Sequence, residues 1–306
     1  MNMYKGIVCL LLMSSQLLFT RLEILDTDPT NVRLLSTREM RFCYISFVQI
    51  NGTTYLIKQK KETCLRKIVG VVRDSITAHI AESFGIGTAH QVDVIPAGKA
   101  FPGKPSKDWP ATIHSIAPGK MIKEQQSPYK KMKIQQKDGG FRLDMLGWMK
   151  KHPQLIVIIA LDIFTCNHDR HRGNLFYNKA TDSFCAIDMD SAYKYPLSAI
   201  AYKNFTSMLN DKKLYLDNRD VYTLMQLRKH LQFLIDNHLP KDTVMMYDYF
   251  AQKAGFVPGS KLYTDRVAAE LTANRAMIVK SYEDVKKVVA VVDALIKRYQ
   301  KRCIKN

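Results

Sequence analysis

The chain has no closely spaced cysteines. Its six, Cys9, Cys43, Cys64, Cys166, Cys185 and Cys303, are scattered with no C-x-x-C pair, which leaves neither a disulfide framework nor a zinc site built on paired thiolates. A reducing, cytoplasmic setting is the simplest account of such thiols. The chain also lacks an apolar run of membrane length near its start. Gly6 to Met13 is broken by Ser14-Ser15-Gln16 after eight residues, too short to span a bilayer. That run follows Met1 to Lys5 in the manner of a signal peptide, but no small-x-small cleavage site follows. The expectation is therefore an N-terminal segment packing on the body, with a cleaved signal as its alternative. Negative charge is scarce: 28 Asp+Glu against 46 Lys+Arg gives a net charge of +18. Such a field favours polyanions, whether nucleotide, nucleic acid, inositol phosphates or an anionic membrane surface. No internal repeat or low-complexity segment stands out, and no recognised nucleic-acid module appears.

What is present is an ordinary globular composition, 306 residues with 46% hydrophobic content, enough for one two-lobed domain or two small ones. The informative stretch runs from Cys166 to Asn174, Cys-Asn-His-Asp-Arg-His-Arg-Gly-Asn, and is followed by Ala186-Ile-Asp-Met-Asp-Ser-Ala192. It offers a carboxylate (Asp169), an amide five residues later (Asn174) and an acid after a short apolar run (Asp188). A phosphoryl-transfer site needs one carboxylate for the attacking hydroxyl, and an amide and a second carboxylate to hold magnesium against nucleotide phosphates. Its setting agrees. Leu155 to Phe164 is apolar apart from Asp162 and reads as a buried helix, while Leu175 to Tyr177 and Phe184 to Ile187 read as a hairpin. A solvated polar loop and a His-containing metal site are the bland alternatives for Asn167 to His171.

Leu161-Asp-Ile-Phe-Thr-Cys-Asn-His-Asp-Arg-His-Arg-Gly-Asn174 resembles the "alD…N.DRH.gN" segment of the HipA-type and phosphatidylinositol-3/4-kinase-like branch of the kinase superfamily. Ala186-Ile-Asp-Met-Asp-Ser-Ala-Tyr193 is similar to that branch's "aID.g.af" metal loop. The resemblance covers roughly residues 40–200 and implies an α+β, bilobal protein-kinase-like fold, with a small β-rich N-lobe and a mostly helical C-lobe. It implies an ATP-dependent kinase that uses Mg²⁺ or Mn²⁺. Asp169 would accept the proton of the attacking hydroxyl with His171 beside it, and Asn174 and Asp188 would hold the metal. Asp190 would touch a second metal or cap a turn.

Upstream, Arg41 to Ile50 and Thr53 to Lys58 read as a hairpin across Asn51-Gly52, a type I′ pair. Lys58 ends the return strand, where a kinase lysine reaches the α/β-phosphates; a solvated lysine beside Lys60 and Lys61 is the plain alternative. Ile68 to Phe84 reads as a helix closed by Gly85, and Asp74 stands where the family carries the glutamate that partners the strand lysine, with Glu82 as the fallback. Val92 to Ile95 is a strand, Pro96 to Pro110 a loop, and Ala111 to Gly119 resembles the hinge, which would offer backbone near Ser115 to Ala117 to adenine. One departure from the family is plain: Pro29 to Met40 contains no glycine, so a glycine-rich phosphate loop is missing and Arg33 or Arg38 would have to serve.

The basic stretch Lys120 to Gly140 reads as a solvated insertion or a polyanion-facing surface. Helices follow at Val221 to Ile235, Asp242 to Ala254, Tyr263 to Lys280 and Tyr282 to Gln300, the last with Lys286, Lys287, Lys297, Arg298, Lys301 and Arg302 opposite its apolar stripe. The expected division is 1–35 as an extension, 36–119 as N-lobe with hinge, 120–210 as catalytic core and 211–306 as helical remainder. A protein hydroxyl is the leading acceptor, a phosphoinositide lipid the second, with an inositol polyphosphate as a possible regulator and a pseudokinase as the non-catalytic alternative. Bacterial secreted effector kinases share these motifs, which adds delivery into a host cell, or contact with a membrane surface, to the cytoplasmic expectation.

Overall fold

β-Branched and aromatic residues dominate the segments either side of Asn51-Gly52, and both turn residues have positive φ, 48° and 80°, as a tight hairpin demands. The computed structural model describes residues 31–62, 68–84, 91–122, 134–137, 140–143, 145–167, 169–170, 173–194, 201–211 and 216–303. The hairpin is β2 (Cys43–Ile50) and β3 (Thr53–Lys60). Before it lies β1 (Val32–Glu39), which crosses the boundary expected at residue 35/36. After it come α1 (Gly70–Ser83), β4 (Gln91–Ile95) and β5 (Ala111–Ser115), and the sheet order is β1-β2-β3-β5-β4, all antiparallel.

Alternation along β3 sorts its side chains to two faces. Ile57 and Gln59 are buried with Val48, Ile50, Ile95, Ala111 and Ile113 under the 96–110 loop, whose Phe101 closes that small core. Gln59 Nε2 donates to the carbonyls of Ser106 and Trp109, at 2.7 and 2.9 Å, and its Oε1 accepts from Ser106 N–H. Lys104 Nζ donates to the carbonyls of Pro96, Lys99 and Lys107. The proline-rich loop is thus a packed cover for the outer face, and it leaves Lys58 and Lys60 on the opposite face. Arg33 and Arg38 lie exposed on β1.

The larger core begins in α1, which is buried along most of its length. Val69, Val72, Ile76 and Ile80 join Leu155, Ile159, Leu224, Leu231, Val285 and Val292 in one apolar cluster, so α1 packs as part of the helical half. That half comprises β6 (Lys120–Met121), β7 (Ile134–Lys137), β8 (Gly140–Leu143), α2 (Met145–Met149), α3 (Pro153–Phe164), β9 (Leu175–Asn178), β10 (Ser183–Ala186), α4 (Ala201–Asn210), α5 (Asn218–Asn237), α6 (Pro240–Lys253) and α7 (Asp265–Cys303). β7 pairs with β8, so part of the basic stretch read as a solvated insertion is regular backbone. Residues 123–133, like 1–30, lie outside the described residues. β6 pairs with β9, and Gly119 (φ 89°) precedes it where an added Cβ would sit 2.3 Å from Tyr177 O; only glycine fits that approach.

α5 starts at a capping box, Asp217 and Asp220 each accepting from the other's N–H. The break expected at Ser281 does not occur, because α7 continues as one helix of 39 residues. Ser281 is buried and its hydroxyl donates to Ile278 O at 2.8 Å, while Asp284 pairs with Lys280 and Lys287 across the same turns. A serine so satisfied does not interrupt a helix whose apolar stripe is packed. The architecture is α+β, with a mainly β N-terminal part and a mainly helical C-terminal part, as the resemblance implied. No helix among the described residues is long and apolar enough to cross a membrane.

Candidate active site

The Asp169–Asn174 side of the candidate site grows out of α3. His152 caps that helix, accepting from Gln154 N–H at 3.2 Å, with Pro153 in the first turn. Asp162, in the last turn, is buried and takes Arg170 Nε at 2.9 Å, Arg170 Nη2 at 3.0 Å and Asn167 Nδ2 at 2.9 Å. Arg170, itself 1% exposed, turns its remaining Nη1 to Asn174 O (2.7 Å) and Ile187 O (2.9 Å). One planar guanidinium therefore joins the helix, the loop and the segment leaving β10. This is the use to which arginine, and not lysine, is suited.

On that frame Asn167 Oδ1 accepts from Asp169 N–H, and Asn174 Nδ2 donates to Asp169 O (2.8 Å) and Asp169 Oδ2 (3.3 Å). The amide nitrogen is thereby spent on Asp169, and the amide oxygen is the atom of Asn174 suited to a cation. Asn174 O also accepts from Ile187 N–H at 3.1 Å. That bond brings Asn174 alongside the residue that precedes Asp188. His171 lies outside the described residues.

Asp188 adopts φ 58°, a left-handed conformation that aspartate and asparagine tolerate better than most residues. The next residue, Met189, donates its N–H to Asp74 Oδ1 at 3.1 Å. Lys58 reaches the same place from β3, with Nζ 2.5 Å from Asp188 Oδ1, 3.4 Å from Asp190 Oδ2 and 3.8 Å from Asp74 Oδ2. Burial works against its ammonium, but Asp188, Asp190 and Asp74 together outweigh burial and hold its pKa well above the ordinary 10.5. Asp74 stands beside the strand lysine as a more distant partner than Asp188. Its side chain is one methylene shorter than glutamate, and one of its oxygens is engaged by Met189.

Asp190 is surrounded by cations. Its carboxylate pairs with Lys60 and Lys58, and its main-chain oxygen accepts from Arg73 Nε at 2.7 Å. Burial opposes its ionisation, yet Lys58, Lys60 and Arg73 hold the carboxyl well below the usual carboxylate range. Ser115 ends β5 opposite Tyr55 on the strand of Lys58, and Ala117 follows, half-buried, in the segment leading to β6. Sequence reasoning passed over Lys60, Arg73, Arg170 and Asp162. Lys60 shares a strand face with Lys58 at spacing two, and Asp162 is the one charge in an apolar helix, so both carried a readable signal. Arg73 carried none.

No protein-family model matches the sequence, and no curated protein sequence matches it. Among solved structures, a Helicobacter pylori proinflammatory kinase, CtkA, aligns at a TM-score of 0.44 and 12% identity, over 83% of this chain and 95% of that one.

Proposed function

We propose that the protein is an ATP- and magnesium-dependent phosphotransferase acting on a hydroxyl, with a protein serine or threonine as the acceptor. The observation that carries this reading is the meeting of three distant segments at one point: Lys58 from β3, Asp74 from α1 and Asp188 from the loop after β10, beside the Asp169–Asn174 pair. In this reading Lys58 binds the α/β-phosphates, and Asp169, held by Asn174 Nδ2, receives the proton of the acceptor hydroxyl. Entry of the phosphates parts Lys58 from Asp188, and Asp74 and Asp190 remain to pair the lysine. Backbone near Ser115 and Ala117 takes the adenine, and His171 assists proton transfer.

The donor set suits the metal. Magnesium keeps several waters and takes one or two protein oxygens plus substrate phosphates. An amide oxygen (Asn174) and a carboxylate (Asp188) match that need, and no group of three His, Cys, Asp or Glu forms a metal cage among the described residues. Bound there with nucleotide, magnesium would neutralise charge developing on the phosphate oxygens.

Incubation with γ-labelled ATP tests the reading. Label in protein bands, lost in a folded Asp188→Asn variant, is the expected result; label extracted into organic solvent assigns a lipid acceptor instead, and an added inositol polyphosphate tests regulation. Native-rate transfer by Asp188→Asn overturns the assignment. The second reading, a nucleotide-binding pseudokinase, is favoured by the glycine-free Met40–Phe42 turn between β1 and β2 and by Lys58 lying nearer Asp188 than Asp74. A Mg-ATP-dependent thermal shift without any transfer would select it.

A further inference from the structure

Arg73 is among the largest fully buried side chains, 2% exposed on the inner face of α1. A guanidinium stays charged at every working pH, so its burial requires partners. The two partners bonded to its fork come from far apart in the chain. Asp190 O accepts from Nε at 2.7 Å, and Glu270 Oε1, in the second turn of α7, accepts from Nη1 at 2.6 Å. The residue after Arg73 grips the same loop with opposite polarity, since Asp74 Oδ1 accepts Met189 N–H at 3.1 Å. Gly70, one turn earlier, completes the contact: an added Cβ would lie 3.1 Å from Asp190 Cβ. The N-terminal part of α1 thus holds Met189 N–H and Asp190 O, two backbone groups that follow Asp188. Glu270 is the acid that pairs with the guanidinium fork.

We propose that Glu270 and Arg73 are positioning residues that couple α7, through α1, to the loop carrying Asp188. Glu270 fixes the fork of Arg73, the fork fixes Asp190 O, and that carbonyl with Met189 N–H sets the backbone on which Asp188 is presented. Loss of the Glu270 carboxylate leaves a buried cation half-paired and loosens the grip on Asp190 O, while Lys58 keeps its own three carboxylates. The consequence for catalysis rests on the phosphotransfer reading above; the coupling itself does not.

Hydrogen exchange and kinetics on the full chain separate the two. In Glu270→Ala, exchange of amides 187–190 should quicken by about tenfold, the scale of one lost charge-assisted hydrogen bond, with α3 and α5 amides unchanged. Under the phosphotransfer reading kcat should fall by about the same factor and KM for ATP stay within about twofold, since an interaction made for the transition state has been lost rather than ground-state binding. Glu270→Gln, which keeps an acceptor, should recover most of both. Should Glu270→Ala fail to fold, Arg73→Lys, which keeps the charge and gives up the fork, carries the same expectation. Unchanged exchange at 187–190 in a folded variant overturns the coupling. Quickened exchange in a chain whose wild type transfers no phosphate upholds the coupling and removes the phosphotransfer reading.

Discussion

The two walls of the candidate site are held by opposite means. On the wall that carries Asp169 and Asn174, Asp162 and Arg170 are buried and bond to each other, to the Asn167 side chain and to the carbonyls of Asn174 and Ile187. On the other wall, Lys58, Lys60, Asp74, Asp188 and Asp190 form a cluster of like and unlike charges in which the Asp188 side chain is still 37% exposed. The first wall is scaffold, where removing one partner strands a buried charge. The second is a set of exchangeable pairs, from which a lysine can leave one carboxylate and find another.

The largest effect should come from breaking the scaffold wall. Arg170→Met leaves Asp162 buried without its cation and should cost about 3–5 kcal/mol in denaturant unfolding. Asp162→Leu combined with Arg170→Met should recover part of that loss, though Asn174 O and Ile187 O lose the donor that Arg170 supplied. Equal losses in the single and double variants would contradict a buried-pair scaffold.

Asp188→Asn should do the reverse. Phosphate transfer should fall by about 10²-fold or more, while stability changes by no more than about 1 kcal/mol because the pair is partly exposed. Asparagine also tolerates the positive φ at this position. A large stability loss with activity retained would invert the comparison of the walls.

Acid and base should erode the charged wall at its two edges. Asp190 has a depressed pKa, so its contribution is present above the ordinary 3.8 and is lost as pH falls through its folded value. Lys58 has a raised pKa, so its contribution is complete below 10.5 and is lost as pH rises through its folded value. The stability difference between wild type and Asp190→Asn should therefore be flat between about pH 4 and 10 and shrink outside that range. A difference that varies steeply near neutrality would count against this cluster.

The smallest effect lies behind both walls, at the far end of α1. His238 is held to a pKa of about 4, by burial first and by His79 second, and its Nε2 lies 2.8 Å from Ser83 Oγ. Its neutral form is the one the fold accepts, so stability should fall as pH drops from 6.5 toward 4, by on the order of 1–2 kcal/mol after solvent screening. A His238→Gln variant should flatten thermal unfolding curves across that window.

Legibility followed the range over which each signal acts. The hairpin at Asn51-Gly52, the strand lysine, the polar loop after an apolar helix and the acid after β10 all rest on local residue chemistry and spacing, and they were readable. β1, exposed along nearly its whole length, carried no apolar alternation to reveal it. The continuity of α7 through Ser281 depended on a burial that spacing cannot report. Glu270 is one exposed-looking acid on an amphipathic helix, with nothing near it in sequence to mark it.

The sequence by itself determined which groups are available and their local order: Asp169 and Asn174 five apart, Asp188 after a strand, two lysines on one face of β3. Only the tertiary structure decided their pairing, placing Lys58 on Asp188, Lys60 on Asp190 and Arg73 between Asp190 O and Glu270. The physical reason is reach. Backbone propensity and side-chain period act over a few residues, whereas a buried charge is paired by whichever segment the packed core brings within hydrogen-bond distance.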